Sequence, residues 1–93
     1  MIKVIMERPI PPGFDPADDA QTARHSRIAV DAMAKLGGSI HWVCSYVTDD
    51  LLFGVVIVDS EETLQKFHAG AGMSGQSIKV HRVRRVIDAS LAA

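Results

Sequence analysis

The sequence predicts a single α+β domain whose antiparallel sheet carries both helices on one face. Helix-forming and strand-forming segments follow one another in the order strand, helix, strand, strand, helix, strand. The 93 residues leave no room for a second hydrophobic core. Residues 51–58 form a strand segment that is apolar at nearly every position, so both faces of that strand must be covered.

The first half of the chain contains a strand, a proline-rich loop and a helix. Residues 2–7 are β-branched and apolar, which favours a strand, and three prolines soon after it force an extended loop. Asp15 and Pro16 predict the start of the helix, as an N-cap followed by proline in the first helical position. The helix is predicted to continue to Leu36, before a glycine pair. Its buried stripe is expected to contain Ala29, Val30, Met33 and Leu36.

The middle of the chain predicts a β-hairpin. Residues 39–48 alternate and are rich in strand formers, and residues 51–58 form the second strand after a short Asp-Asp turn. Alternation along the first strand places Ile40, Trp42, Cys44 and Tyr46 on one face. Alternation along the second strand separates Leu51, Phe53, Val55 and Ile57 from Leu52, Val56 and Val58, with Gly54 between them.

A second helix and a last strand complete the domain. Asp59 or Ser60 is expected to cap the helix, and Asp59 with Glu62 forms a variant of the capping box. The apolar stripe of this helix contains Leu64, Phe67, His68 and Ala71, at i, i+3, i+4 and i+7. Residues 77–87 predict the last strand, and residues 88–93 a loose tail.

This order of elements predicts a ferredoxin-like βαββαβ sandwich, with a four-stranded antiparallel sheet and two helices on one face. The apolar strand 51–58 indicates that something also covers the other face of the sheet, and a second copy of the chain is the simplest candidate. We therefore expect a homodimer. Val56→Asp is expected to leave a soluble but less stable monomer.

Composition favours a cytoplasmic protein that binds neither nucleic acid nor membrane. The formal net charge is −1, and no apolar run is long enough to span a bilayer as a helix. Arg82, Arg84 and Arg85 are interpreted as a solvated strand edge. Cys44 is the only cysteine, so no disulfide forms within the chain. The first residues lack the pattern of a signal peptide.

Five side chains are the candidates for a functional site. His68 lies on the apolar stripe of its helix, either as a buried imidazole bonded to the backbone or as a ligand contact. Trp42 and Tyr46 either pack in the core or line one wall of a pocket, and Cys44 between them is a core residue or a soft metal ligand. Glu7 is a ligand, a base or an ion-pair partner. The sequence also places His25 and His81 at the surface or an interface.

Four stretches of the chain carry a resemblance to a known family. They are residues 6–8 with 12–13, 42–47 with 49–50, 67–69 with 71–72, and 78–80. Together they resemble small bacterial domains of unknown function, some of which are nickel-binding, nickel-responsive proteins. The resemblance implies a ferredoxin-like fold, a dimer and a divalent-metal site. Where metal-binding members carry histidines, this chain has Arg8-Pro9, then Cys44, then His68 with Met73.

The leading hypothesis is therefore a small binding protein that holds nickel, another divalent metal or a small ligand between the second helix and the sheet. His68, Cys44 and Glu7 are the predicted metal ligands, and Trp42, Tyr46 and His68 the predicted ligand contacts. The alternative is a cofactor-free monooxygenase or isomerase of the dimeric α/β-barrel type, with His68 as general base. A third possibility is an interaction module with a filled core. No catalytic motif is present, which favours binding over catalysis.

Overall fold

The structure is a computed structural model that describes residues 1–92. Its elements are β1 (Ile2–Pro9), α1 (Asp19–Ala34), β2 (Ile40–Val47), β3 (Leu51–Val58), α2 (Glu61–Gly70) and β4 (Lys79–Arg82), followed by a 3-10 turn at Ala89–Ala92. All strand pairs are antiparallel, and the order in the sheet is β2-β3-β1-β4. This arrangement confirms the predicted ferredoxin-like α+β fold. Within residues 1–92, neither helix is long and apolar enough to cross a membrane.

The hydrophobic core lies between the helices and one face of the sheet. Register explains which residues enter it: Val4 of β1 pairs with Val56 of β3, and both side chains point toward the helices. Burial of a valine or leucine side chain stabilises the fold by roughly 1.5–3 kcal/mol. The buried members are Val4, Met6, Ala29, Ala32, Ile40, Val56, Val58, Leu64 and Phe67.

Helix α1 begins three residues later than predicted, at Asp19, because Asp18 is the N-cap. The Asp18 carboxylate accepts hydrogen bonds from the backbone N–H groups of Ala20 at 2.9 Å and Gln21 at 3.2 Å. Asp15 instead closes a preceding turn by accepting from the N–H of Ala17 at 2.9 Å. Both aspartates suit a cap, and only the one next to the continuous helical run caps α1.

The face of α1 that packs on the sheet also differs from the predicted stripe. Ala29 and Ala32 are buried, whereas Val30 is 43% exposed, so the assignment of Val30 to the core is wrong. Met33 and Leu36 pack at the edge of the core, as predicted. Small alanines at the contact allow α1 to lie close to its neighbours, and the β-branched Val30 falls on the solvent side of the same turn.

Helix α2 resolves the choice between two candidate caps. Ser60 is the N-cap, and its hydroxyl accepts from the N–H of Thr63 at 3.2 Å. Glu61 and Glu62 lie in the first turn, where their charges suit the positive end of the helix. Leu64 and Phe67 are buried, as the predicted stripe requires, and half-buried His68 follows them near the end of the helix.

A β-bulge in β2 overturns the predicted face assignment of that strand. Trp42 pairs with Val56, but the next paired residue is Cys44, opposite Val55. The extra residue between them reverses the alternation, so Trp42 faces the helices while Cys44 and Tyr46 face the other side. The side chains agree: the Trp42 indole N–H donates to the hydroxyl of Ser45 at 3.0 Å, on the helix side. Hydrogen bonding with the neighbouring Cys44 thiol raises the pKa of Tyr46.

The second face of the sheet, here called the open face, carries the odd-numbered residues of β3. Phe53, Val55 and Ile57 alternate with the buried even-numbered residues, which confirms that β3 is apolar on both sides. Val56 belongs to the buried set and is fully enclosed by the core. Val56→Asp is therefore the wrong variant to probe a dimer through this face, and Val55 is the appropriate position.

Strand β4 is shorter than predicted, ending at Arg82 rather than at residue 87. Arg82 pairs with Val4, and the N–H of Val83 donates to the carbonyl of Lys3 at 2.9 Å. Because β1 starts at Ile2, the chain beyond this point has almost no partner backbone to pair with. The arginine run begins on this exposed edge, and the residues of the 3-10 turn at Ala89–Ala92 are exposed as well. Ala93, the last residue of the predicted tail, lies outside the described residues.

Candidate ligand-binding site

A cavity of about 150 Å³ lies between the two helices and the sheet. Side chains from β1, α1, β2, β3, α2 and the loop that follows α2 line it, so every layer of the fold contributes. Among the lining residues, Arg8, His25, His68 and Gln76 are polar or charged, and Met6 and Gly54 form part of the floor. This is the region between the second helix and the sheet where the sequence predicted a ligand.

Gly54, which has no side chain, lies in the floor of the cavity. Gly54 lies on the helix-facing side of β3, between Met6 of β1 and Ser45 of β2. A Cβ atom there would lie 3.2 Å from the terminal methyl of Met6 and 3.7 Å from the hydroxyl of Ser45. Glycine inside a strand weakens it and commonly marks the close approach of another group. Gly54 therefore lets the Met6 methyl and the Ser45 hydroxyl approach the centre of the sheet closely, where they form part of the cavity floor with it.

Arg8 is a buried charged group in this cavity. Alternation along β1 places Val4, Met6 and Arg8 on the same helix-facing side, and Arg8 is only 7% exposed. Its guanidinium donates from Nη1 to the side-chain oxygen of Gln76 at 2.9 Å. Within residues 1–92, no carboxylate oxygen lies within 4 Å of it. Burial lowers the pKa of Arg8, yet a guanidinium stays protonated at neutral pH.

Two imidazoles stand beside this charge. His68 comes from α2, and its Nε2 lies 2.8 Å from the sulfur of Met6. His25 comes from α1, with its ring centroid 5.8 Å from that of Phe14. Burial, and then the positive charge of Arg8, lower the pKa of both histidines below the ordinary 6.5. Both imidazoles are therefore neutral at pH 7, able to accept or donate one hydrogen bond at each nitrogen.

The remaining walls are apolar, which sets the kind of molecule that fits. Ile28, Leu52, Phe67 and Ile78 surround the polar groups. Binding sites for small molecules typically combine such walls with a few polar groups that fix orientation. An apolar cavity of about 150 Å³ accommodates a molecule the size of benzene. The arrangement therefore suits a small organic molecule with one polar end.

The structure does not bring together the three predicted metal ligands. His68 lines the cavity, but Glu7 lies on the open face, 3.4 Å from Nε2 of His81 and 4.0 Å from Nζ of Lys79. Cys44 lies on the open face as well, because of the bulge in β2. Among residues 1–92, no three His, Cys, Asp or Glu side chains are grouped in a way that holds a metal ion.

The predicted aromatic wall is also absent from the cavity. Trp42 packs against the hydrophobic core and is not among the residues that line the cavity. Tyr46 is 62% exposed on the opposite side of the sheet. Of the three predicted ligand contacts, the structure therefore places only His68 at the cavity.

Sequence reasoning missed Arg8 and His25. Side chains alternate between the two faces of the sheet along β1, so Val4, Met6 and Arg8 share one face. This alternation was the signal in the sequence that could have assigned Arg8 to the buried side. His25, predicted to lie at the surface or an interface, is half-buried and lines the cavity. Its position four residues before Ala29, on the same helical face as the predicted stripe, was the signal in the sequence.

Comparison with known proteins supports the fold. No protein-family profile and no curated protein matches the chain. The chain is similar in structure to SCO4226 from Streptomyces coelicolor A3(2), with 12% sequence identity and a TM-score of 0.67 over 91% of this chain and 99% of that one. It is also similar to the de novo designed protein Foldit4, with 10% identity and a TM-score of 0.53 over 91% and 98%. At such identities the likeness shows the fold alone.

Proposed function

We propose that this protein binds a small molecule in the cavity between its helices and sheet. The observation that supports the proposal is the cavity itself, in which Arg8 and two neutral histidines are enclosed by apolar walls. An interaction module without a ligand would be expected to fill this space with side chains, as protein cores normally do.

The local sequence supports a binding role because it lowers stability at this place. Glycine in a strand interior destabilises by about 0.5–1 kcal/mol relative to alanine, and Gly54 stands at the centre of the sheet. A buried guanidinium without a carboxylate partner adds a further desolvation penalty. Both residues line the same cavity, and the buried charge of Arg8 is the feature expected of a residue that serves a site at the expense of stability.

Filling the cavity tests the proposal. Benzene is a suitable neutral probe, and its contact is detected as changes in the amide resonances of Gly54, Phe67 and Ala71. Gly54→Leu is expected to abolish these changes because the new side chain occupies the floor of the cavity. Gly70→Ala is the matched control, since a Cβ there makes only an ordinary 3.8 Å contact with Ala32. The absence of any response of the wild-type protein in benzene-saturated buffer would contradict the proposal.

A divalent metal held at His68 is the second candidate. The supporting observation is the neutral imidazole of His68 beside the Met6 sulfur, since imidazole and thioether are donors for borderline and soft metals. The positive charge of Arg8 in the same cavity opposes a dication. Small-molecule binding therefore comes first, and nickel or another divalent metal second.

Calorimetric titration with nickel and zinc tests the metal candidate. His68→Ala is expected to abolish the heat of binding, whereas His81→Ala on the open face leaves it unchanged. Cys44→Ser and Glu7→Gln are expected to have no effect, because both residues lie on the other side of the sheet. Binding should weaken as pH falls, since the imidazole must be unprotonated to ligate. No heat with the wild type, or equal heat with His68→Ala, would exclude this site.

The cofactor-free enzyme remains an alternative to a pure binding protein. Its support is the lowered pKa of His68, which keeps the imidazole available as a proton acceptor at neutral pH. The aromatic partners expected for it lie elsewhere, with Trp42 in the core and Tyr46 exposed. Binding without catalysis therefore has the stronger support.

We propose that a second copy of the chain covers the open face. Phe53, Val55 and Ile57 form an apolar strip in the middle of this face, beside the Glu7 ion pairs. Val55→Asp is expected to give a folded monomer, and Val30→Asp, at an exposed position of α1, to leave the dimer intact. Light scattering measures both. A wild-type monomer, or a Val55→Asp dimer, would contradict the assembly.

The proposed partners are a second copy and a small ligand, in the cytoplasm. The formal charge of −1 offers no attraction to nucleic acid or anionic membranes, and the cysteine is free. Cell fractionation with an antibody against the chain tests the location, and recovery with the membrane fraction would contradict it.

A further inference from the structure

We propose that the ligand is a small organic carboxylate, whose carboxylate group pairs with Arg8 and whose apolar part fills the rest of the cavity. This inference rests on the proposed function. It adds the chemical class of the ligand and the residue that recognises it.

Arg8 supplies the hydrogen-bonding capacity. A guanidinium carries five N–H donors in a planar fork, and the one side-chain bond that Arg8 makes within residues 1–92 goes to Gln76. Gln76 is neutral, so the positive charge itself has no partner in the described chain. A carboxylate matches the fork with two parallel hydrogen bonds and also supplies the missing negative charge.

The charge of the whole cavity lining also favours an anionic ligand. None of the sixteen lining residues is acidic, and the two histidines are neutral at pH 7, so the lining carries one net positive charge. The charge of Arg8 reaches both imidazoles, since it contributes to the lowered pKa of His25 and of His68. An anion anywhere between these side chains is attracted, and a cation is repelled.

The apolar walls distinguish an organic carboxylate from an inorganic anion. Phosphate carries more than one negative charge at pH 7 and has no apolar part, whereas this cavity offers a single cationic side chain among apolar walls. Leu52, Phe67 and Ile78 instead offer apolar surface to the body of a ligand. The volume of about 150 Å³ is the size that takes one benzene ring. A molecule such as benzoate has the required charge, shape and size.

Three probes of nearly the same shape are benzoate, benzamide and benzene. Comparing them separates the contribution of the charge to binding affinity from that of the apolar contact. Dissociation constants are measured by amide-resonance titration. We expect benzoate to bind at least about tenfold more tightly than benzamide, as a charge-assisted bidentate pair predicts. Arg8→Met should remove this preference while leaving benzene binding unchanged. Arg8→Lys should restore only part of it, because a lysine ammonium lacks the planar fork.

Gln76→Glu provides a test that does not remove the arginine. Gln76 is exposed and already contacts the guanidinium, so a glutamate there supplies a carboxylate from the protein itself and competes with benzoate. Gln65→Glu, on the exposed side of α2, makes the same chemical change away from the cavity and should leave binding unchanged. Both variants keep the core and Arg8 itself unchanged, so they test the inference independently of any change in stability that Arg8→Met causes.

The outcomes separate the two proposals. Benzene binding without a preference for benzoate would overturn the carboxylate inference and leave the proposed function standing. Failure of all three probes would overturn both. An undiminished benzoate preference in Gln76→Glu, or displacement of benzoate by equimolar inorganic phosphate, would also overturn the inference. Preference for benzoate that is lost in Gln76→Glu and kept in Gln65→Glu supports it.

Discussion

Charged side chains on the two faces of the sheet differ in solvent exposure and in their partners. On the open face, Glu7 stands beside Lys79 and His81, and all three groups are partly or largely exposed to solvent. On the helix-facing side, the next residue of the same strand, Arg8, is buried and has only a neutral amide as partner. Neighbouring residues on one strand thus meet two different electrostatic environments.

The difference shows on which face of the sheet a bound ligand would add the most favourable electrostatic interaction. A solvated ion pair gains little from another charge, since water and salt already screen it. A buried guanidinium without a counterion lacks a strong interaction that the protein itself does not provide. Because Arg8 lines the cavity, the helix-facing side combines space with a charge that has no counterion in the described chain. Within residues 1–92, the open face has no such cavity, and its charged side chains are in contact with solvent. The proposed occupant of its apolar strip is a second copy of the chain.

The largest expected effect comes from placing a charge on each face of β3. Val56→Asp should abolish folding, because burial of an unpaired carboxylate costs several kcal/mol out of a total stability of about 5–15 kcal/mol. Val55→Asp, one residue away on the open face, should remain folded. Circular dichroism and urea denaturation distinguish the two variants. Equal stability of the two would contradict the assignment of faces.

Neutralising one charge on each face should change stability in opposite directions. Arg8→Met is expected to raise the free energy of unfolding by about 1–3 kcal/mol, since replacing an unpaired buried charge with an apolar side chain of similar length removes a desolvation penalty. Glu7→Gln should lower it by less than about 1 kcal/mol, as for other exposed ion pairs. Urea denaturation at low and moderate salt measures both changes. A destabilised Arg8→Met would mean that interactions of the guanidinium such as the hydrogen bond to Gln76 outweigh its desolvation penalty.

Acid should weaken the fold through the helix-facing side. The pKa values of His25 and His68 lie below 6.5 in the folded protein, so the unfolded chain binds protons first as pH falls. Stability from these groups is therefore complete above pH 6.5 and is lost as pH falls below it, until the lowered folded pKa values are reached. Urea denaturation at pH 7.5 and 5.5 measures the loss.

Replacing both histidines with glutamine should reduce this loss, whereas replacing exposed His41 should not. A pH dependence that is the same in the double variant and in the wild type would assign the acid sensitivity to other groups.

The sequence was sufficient for the fold because its local signals agree with the tertiary arrangement. The order of elements, the doubly apolar β3 and the inward stripe of α2 are all present in the structure. Features that depend on tertiary contacts were not predictable. The end of β4 depends on where β1 begins, since a strand stops when its partner backbone stops.

The site was harder to predict than the fold. One extra residue in β2 leaves composition and strand propensity unchanged, but it moves Cys44 and Tyr46 to the opposite face from Trp42. Arg8 follows the alternation of β1, yet arginine is seldom buried, and the prolines that follow favour a loop. Only His68 combined a helical spacing that placed it on the inward face with a side chain that can bind a ligand.

The most direct test of the account is a titration of the isotope-labelled protein with benzoate, followed at every backbone amide. We expect the largest changes on the helix-facing side, at Arg8, Gly54 and Phe67, and little change at Val55 and Ile57 on the open face. Changes concentrated on the open face, or no saturable change anywhere, would contradict the claim that the unmatched charge of Arg8 marks a binding site.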